Sequence, residues 1–102
     1  MRKIMAYIKP FKLEVVLARL PEAGVLEILC AEVRGYGRQK NQLELYKDGK
    51  YELTFLPKAR IEVYCEDTAV DAVEKALLEG ARTGRIGDGK IISAVVEQIE
   101  QV

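Results

Sequence analysis

Apolar residues alternate near the start of the chain: Ile4, Ala6 and Ile8 share one parity, Met5 and Tyr7 the other, and Lys9-Pro10 closes the run. A period of two with apolar side chains at both parities predicts a strand whose two faces are both at least partly covered. The period then changes. Leu13, Val16, Leu17 and Leu20 recur at helical spacing with Lys12, Glu14 and Arg19 on the other side, which predicts a helix closed by Ala23-Gly24 and frayed in its last turn by Pro21. Residues 25–34 (VLEILCAEVR) read as a second strand ending at Gly35-Tyr36-Gly37, and residues 59–65 (ARIEVYC) alternate again as a third. Across residues 68–82, Val70, Val73, Leu77 and Ala81 mark a second helix, with Asp67 or Thr68 as N-cap and Gly84 just past its end. Residues 90–96 (KIISAVV) form the last strand.

The order βαββαβ predicts an α+β, ferredoxin-like sandwich: a four-stranded antiparallel sheet with both helices on one face. The other face has no helix to cover it, yet Val25 and Leu29 oppose Leu26 and Ile28 in parity, so apolar residues fall on both sides. For so small a chain the simplest cover is another copy, and a homo-oligomer is expected.

Composition narrows the function classes. A chain of 102 residues makes a single domain, residues 1–102, and 49 % hydrophobic residues suffice for a packed core. Sixteen Lys and Arg balance sixteen Asp and Glu, so no bulk positive field favours nucleic acid or an anionic membrane, and any anion must be bound locally. The absence of His removes the usual acid–base residue and the commonest metal ligand, and no activated nucleophile or acid–base pair is visible; the chain is not expected to be an enzyme. Cys30 and Cys65 form neither a CxxC pair nor a disulfide framework, which suits a reduced, cytoplasmic protein, and no apolar run is long enough to enter a membrane. A strand pairing with a residue sum near 95 would set the two cysteines opposite each other.

Two segments offer chemistry. Residues 35–58 far exceed the ~2–5 residues of an ordinary hairpin connection; they mix Arg38, Lys40, Lys47, Lys50 and Lys58 with Tyr36, Tyr46, Tyr51 and Phe55. Leu43, Leu45, Tyr51, Leu53 and Phe55 alternate around Asp48-Gly49, as in an extended hairpin that could also serve as a partner-binding arm. The second segment, Thr83-Gly84-Arg85-Ile86-Gly87-Asp88-Gly89-Lys90, lets backbone amides converge on a phosphate beside a lysine. It is not a Walker A loop: Ile91 replaces the metal-holding Ser/Thr, and the segment runs from helix to strand rather than strand to helix. Glu27 and Glu62, which interrupt apolar strands, read as exposed or salt-bridged carboxylates.

Taken together, Ile8-Lys9-Pro10-Phe11-Lys12-Leu13, Glu32-Val33-Arg34-Gly35-Tyr36-Gly37-Arg38-Gln39-Lys40, Phe55-Leu56-Pro57-Lys58 and Ala81-Arg82-Thr83-Gly84-Arg85-Ile86-Gly87-Asp88-Gly89-Lys90-Ile91 resemble, in order, the motifs of the P-II nitrogen-regulatory signal-transduction family. The resemblance implies ferredoxin-like subunits in a homotrimer and a non-enzymatic regulator that binds ATP or ADP in clefts between subunits. On that resemblance Gly37, Arg38, Gln39, Glu62, Val63, Tyr64, Gly87, Asp88, Gly89 and Lys90 contact the nucleotide. It further implies 2-oxoglutarate at Gln39, Lys40, Lys58 and Gly87, with Gln39 lending an oxygen to Mg²⁺ held with ATP and Lys58 pairing with the distal carboxylate. Residues 36–56 would dock on a target, an ammonium transporter, another transporter or a nitrogen-metabolism enzyme.

Departures from the family pattern shape the alternatives. Tyr51 is the candidate modification residue, but Tyr46-Lys47-Asp48-Gly49-Lys50-Tyr51 changes the charge and turn around it, which counts against uridylylation. Asn41 stands where glycine is common and Leu29 where threonine is common. The sequence ends at Val102, before the arginines with which family members usually reach a neighbour's phosphates, which is expected to weaken ATP most. The alternative is an adenine-nucleotide sensor on the same fold that regulates a metal-efflux or inorganic-carbon transporter. A trimeric metal-binding protein is a third reading, and the lack of His argues against it.

Overall fold

The alternation near the N-terminus becomes strand β1 (Arg2–Ile8), followed by α1 (Leu13–Arg19), β2 (Val25–Gly37), β3 (Thr54–Cys65), α2 (Val70–Ala81) and β4 (Lys90–Val95) in a computed structural model that describes residues 1–37, 54–85 and 88–102. The strands lie in the order β2-β3-β1-β4 with every neighbour antiparallel, the expected βαββαβ sandwich. One face packs on both helices. Ile4, Ala6 and Ile8 of β1 and Ala59, Ile61, Val63 and Cys65 of β3 meet Val16 of α1 and Val73 and Leu77 of α2, each exposed by 2 % or less. Burial of this set is the main stabilising term, because each aliphatic side chain removed from water contributes roughly 1.5–3 kcal/mol.

α1 and α2 approach closely at Gly80. A Cβ there would stand 2.9 Å from Val16 Cγ2 and 3.0 Å from Val16 Cα, too near for either to remain in place. Gly80→Ala gains ~1 kcal/mol of helix propensity but overpacks the contact at a cost of ~1–3 kcal/mol. Net destabilisation of ~1 kcal/mol is expected in urea unfolding at fixed protein concentration; a stabilised variant would show that the helices are free to separate.

Several element boundaries differ from those the sequence suggests. α1 stops at Arg19 instead of running to Ala23-Gly24: Leu20 is extended (φ −65°, ψ 134°), as a residue preceding proline tends to be. Neither Asp67 nor Thr68 caps α2; residues Asp67–Ala69 form a 3₁₀ turn, and the Asp67 carboxylate pairs with the N-terminal ammonium at 3.0 Å. β2 and β3 run further than predicted, with Gly35 opposite Leu56, Tyr36 opposite Phe55 and Gly37 opposite Thr54, so the long connection begins as a hairpin stem. The proposed turn at Asp48-Gly49 lies outside the described residues. The cysteines are not cross-strand partners. Cys30 faces Ile61 and Cys65 faces Val25, because the strands pair in another register with a bulge between Val25 and Glu27. Burial is the main cause that pushes the Cys65 thiol above its ordinary pKa, with Asp67 adding to it, which makes the thiol unreactive.

The helix-free face carries Lys3, Met5 and Tyr7 of β1 beside Lys58, Arg60, Glu62 and Tyr64 of β3, Leu29, Ala31 and Val33 of β2, and Lys90, Ile92 and Ala94 of β4. Of these residues the one carboxylate, Glu62, is shared by two of the four cations. Glu62 accepts from Arg60 Nε at 3.1 Å and from the Tyr64 hydroxyl at 3.4 Å, and Lys3 lies 3.8 Å away. Glu62 is thus salt-bridged, as its setting in an apolar strand suggests. Leu29 and Ile92 remain 45 % and 40 % exposed, leaving an apolar surface open on a single chain.

Candidate functional site

α2 ends at Ala81, and residues 82–89 lead back to the sheet to start β4 beside β1. Gly84 has φ 82° just beyond the helix. Gly89 lies so near β1 that a Cβ would stand 3.0 Å from the Tyr7 carbonyl oxygen, so a side chain there would push β1 aside by a few tenths of an ångström. The helix–loop–strand order rules out a Walker A geometry, in agreement with the sequence.

Asp88 is where this segment meets the sheet. The Thr83 hydroxyl donates to its Oδ2 at 2.6 Å, the Arg85 amide donates to Thr83 Oγ1 at 3.3 Å, and the Asp88 amide donates to the Arg85 carbonyl at 3.4 Å. Two lysines reach in from the sheet: Lys9, just past β1, sits 3.8 Å from Oδ1, and Lys58 of β3 donates to the Asp88 carbonyl oxygen at 3.4 Å. The Thr83 hydrogen bond is the largest influence and, with the charges of Lys9, Arg85 and Lys58, holds the Asp88 carboxyl below its ordinary pKa against the opposing effect of burial. It is ionised at neutral pH.

Alongside runs an open groove of about 570 Å³ with an apolar floor of Ile8, Leu77, Leu78, Ala81 and Ile91. Arg82, Arg85 and Lys90 also line it. The volume lies in the range of small-molecule sites. With Lys9 and Lys58 close by, cations outnumber the one carboxylate among the described residues, so the region favours an anion of more than one charge. The Lys90 ammonium lies 5.0 Å from the centre of the Tyr7 ring, its opposite residue in the sheet, and that contact steers the side chain over the helix-free face. Among the described residues no group of three His, Cys, Asp or Glu side chains could hold a metal ion.

Of the residues singled out from the sequence, Lys58, Asp88, Gly89 and Lys90 come together here. Glu62 and Tyr64 lie on the helix-free face that Lys90 also overlooks. Val63 points the other way into the core at 0 % exposure, so its side chain is closed to any ligand. Gly37 pairs with Thr54, which is four residues before Lys58 on β3, or ~13 Å along the strand. Arg38, Gln39, Lys40, Tyr51 and Gly87 lie outside the described residues. Sequence reasoning missed Lys9, Thr83 and Tyr7 as site residues. For Thr83 the signal was present: a hydroxyl and a carboxylate flank a glycine-rich turn.

The sequence profile described as Nitrogen regulatory protein P-II matches residues 1–102. A protein of that name from Azospirillum brasilense is 47 % identical over 102 residues, an alignment spanning 100 % of this chain and 91 % of the relative. One from Microchaete diplosiphon is 45 % identical with the same coverage. One from Cereibacter sphaeroides is 49 % identical over 98 residues, 96 % of this chain and 88 % of its own.

Proposed function

As a member of the nitrogen regulatory protein P-II family the chain is a signal-transduction regulator, and we propose that it does this as a homotrimer that binds ATP or ADP at the glycine-rich segment. The observation that carries the reading is the convergence of Lys58, Asp88, Gly89 and Lys90, from β3, the 82–89 segment and β4, beside a groove that Arg82 and Arg85 also line. Those cations suit a polyphosphate far better than a free divalent ion. Mg²⁺ therefore arrives with ATP, its remaining oxygen ligands coming from Gln39 and from 2-oxoglutarate. Lys58 takes the distal carboxylate of 2-oxoglutarate, and Lys40 and Gly87 complete that pocket. Arg38, Gly37, Glu62 and Tyr64 complete the nucleotide cleft between subunits. The state of the site is passed to nitrogen-related target proteins through residues 36–56. The protein works in the cytoplasm, and among the described residues no helix is long and apolar enough to cross a membrane.

Lys90 provides the first test. Lys90→Ala removes a charge-assisted contact to phosphate of ~1.5–3 kcal/mol, so ADP affinity measured by calorimetry is expected to fall roughly ten- to a hundredfold. Unchanged affinity for both ADP and ATP would leave the segment as a helix cap and glycine turn, with no role in binding.

A further inference from the structure

We infer that Asp88 is a positioning residue that clasps the phosphate-binding segment through Thr83 and Lys9 without touching the ligand; this rests on the nucleotide reading above. A carboxylate beside a polyphosphate is at first sight a liability, since like charges repel. Its contacts explain why it is there. One oxygen accepts from the Thr83 hydroxyl at 2.6 Å and the other faces Lys9 at 3.8 Å, so both oxygens are turned to the protein. The main chain of Asp88 is fixed as well, its carbonyl accepting from Lys58 at 3.4 Å and its amide donating to the Arg85 carbonyl at 3.4 Å. Thr83 in turn accepts from the Arg85 amide at 3.3 Å, which ties positions 83, 85 and 88 of the turn into one unit anchored to β1 and β3. The charged groups facing Asp88 are Lys9, Lys58 and Arg85, and together with Thr83 they keep it ionised, so the clasp is closed at neutral pH. A segment held in its bound shape loses less entropy when a phosphate arrives.

The clasp and a bare charge predict opposite signs. If Asp88 acted only by its charge, Asp88→Ala would tighten ADP binding and Thr83→Val would do nothing. If it is a clasp, each substitution weakens ADP by about tenfold, the scale of one lost hydrogen bond to a charged group. Because both remove the same bond, the double variant is expected to lose less than the sum of the two single losses. Thr83→Ser, which keeps the hydroxyl, should bind like wild type. Adenosine, which has no phosphate, should compete equally well against wild type and variants, a result that a general loss of structure would not give. The measurement is calorimetric titration with ADP, with adenosine as competitor and Lys90→Ala as reference. Tighter or unchanged ADP binding in Asp88→Ala, alongside weakened binding in Lys90→Ala, overturns the clasp and leaves the nucleotide reading standing. Equal losses for adenosine and ADP also overturn it. No change in Lys90→Ala removes the nucleotide reading and the clasp with it.

Discussion

Ile92→Glu is expected to convert a stable trimer into a folded monomer. Ile92 lies on the helix-free face opposite Met5 and is 40 % exposed on the single chain, so a glutamate there leaves the core of Ile4, Ile61, Val73 and Leu77 intact. Packed in the centre of an assembly, the same glutamate would bury an unpaired charge in each subunit at a cost on the order of 3–5 kcal/mol. Lys3 and Arg60 are already engaged by Glu62. Sedimentation velocity should show three-subunit particles for wild type and single chains for the variant, with equal helical circular dichroism. A wild-type protein that sediments as a monomer at micromolar concentration would defeat the trimer and the shared cleft together.

Lys58→Met is expected to abolish the coupling between 2-oxoglutarate and ATP while leaving most of the affinity for ADP. Lys58 is half-buried and donates to a neutral carbonyl, that of Asp88, at 3.4 Å, a long bond that a carboxylate can outbid. Couplings between ligands are typically ~1–3 kcal/mol, or about 5- to 150-fold in affinity. A methionine keeps the side chain's apolar length and removes the charge, so the full factor should vanish. Linkage requires the reverse effect, of ATP on 2-oxoglutarate, to vanish equally. Coupling that survives in Lys58→Met would place the second carboxylate elsewhere.

Much of the fold was legible because each strand of the core keeps one apolar parity. Ile4, Ala6 and Ile8 and then Ala59, Ile61 and Val63 announce the buried face, and Val73 and Leu77 announce the helix that covers it. The boundaries were less legible, since they turn on local competitions: Pro21 acts on Leu20 before it acts on its own turn, and Asp67 is drawn to the N-terminal ammonium instead of capping. Register was the weakest inference. The two strands pair four to five residues away from the register that would set Cys30 opposite Cys65, an offset the apolar alternation does not encode. At the site, Asp88 and Lys90 stood out because glycines and charges cluster in sequence, whereas Lys9 joins them only through the pairing of distant strands. Val63 shows the converse, since adjacency to Glu62 and Tyr64 on a strand means facing away from them.

The most direct test of the central claim is calorimetric titration of the wild-type protein with ATP at millimolar Mg²⁺, with and without 2-oxoglutarate, and the same pair of titrations with ADP. The proposal predicts that both nucleotides bind saturably and that 2-oxoglutarate tightens ATP but not ADP, because only ATP would bring a γ-phosphate to the shared metal. Absence of binding by either nucleotide would contradict the proposed site, and nucleotide binding indifferent to 2-oxoglutarate would contradict nitrogen sensing through it.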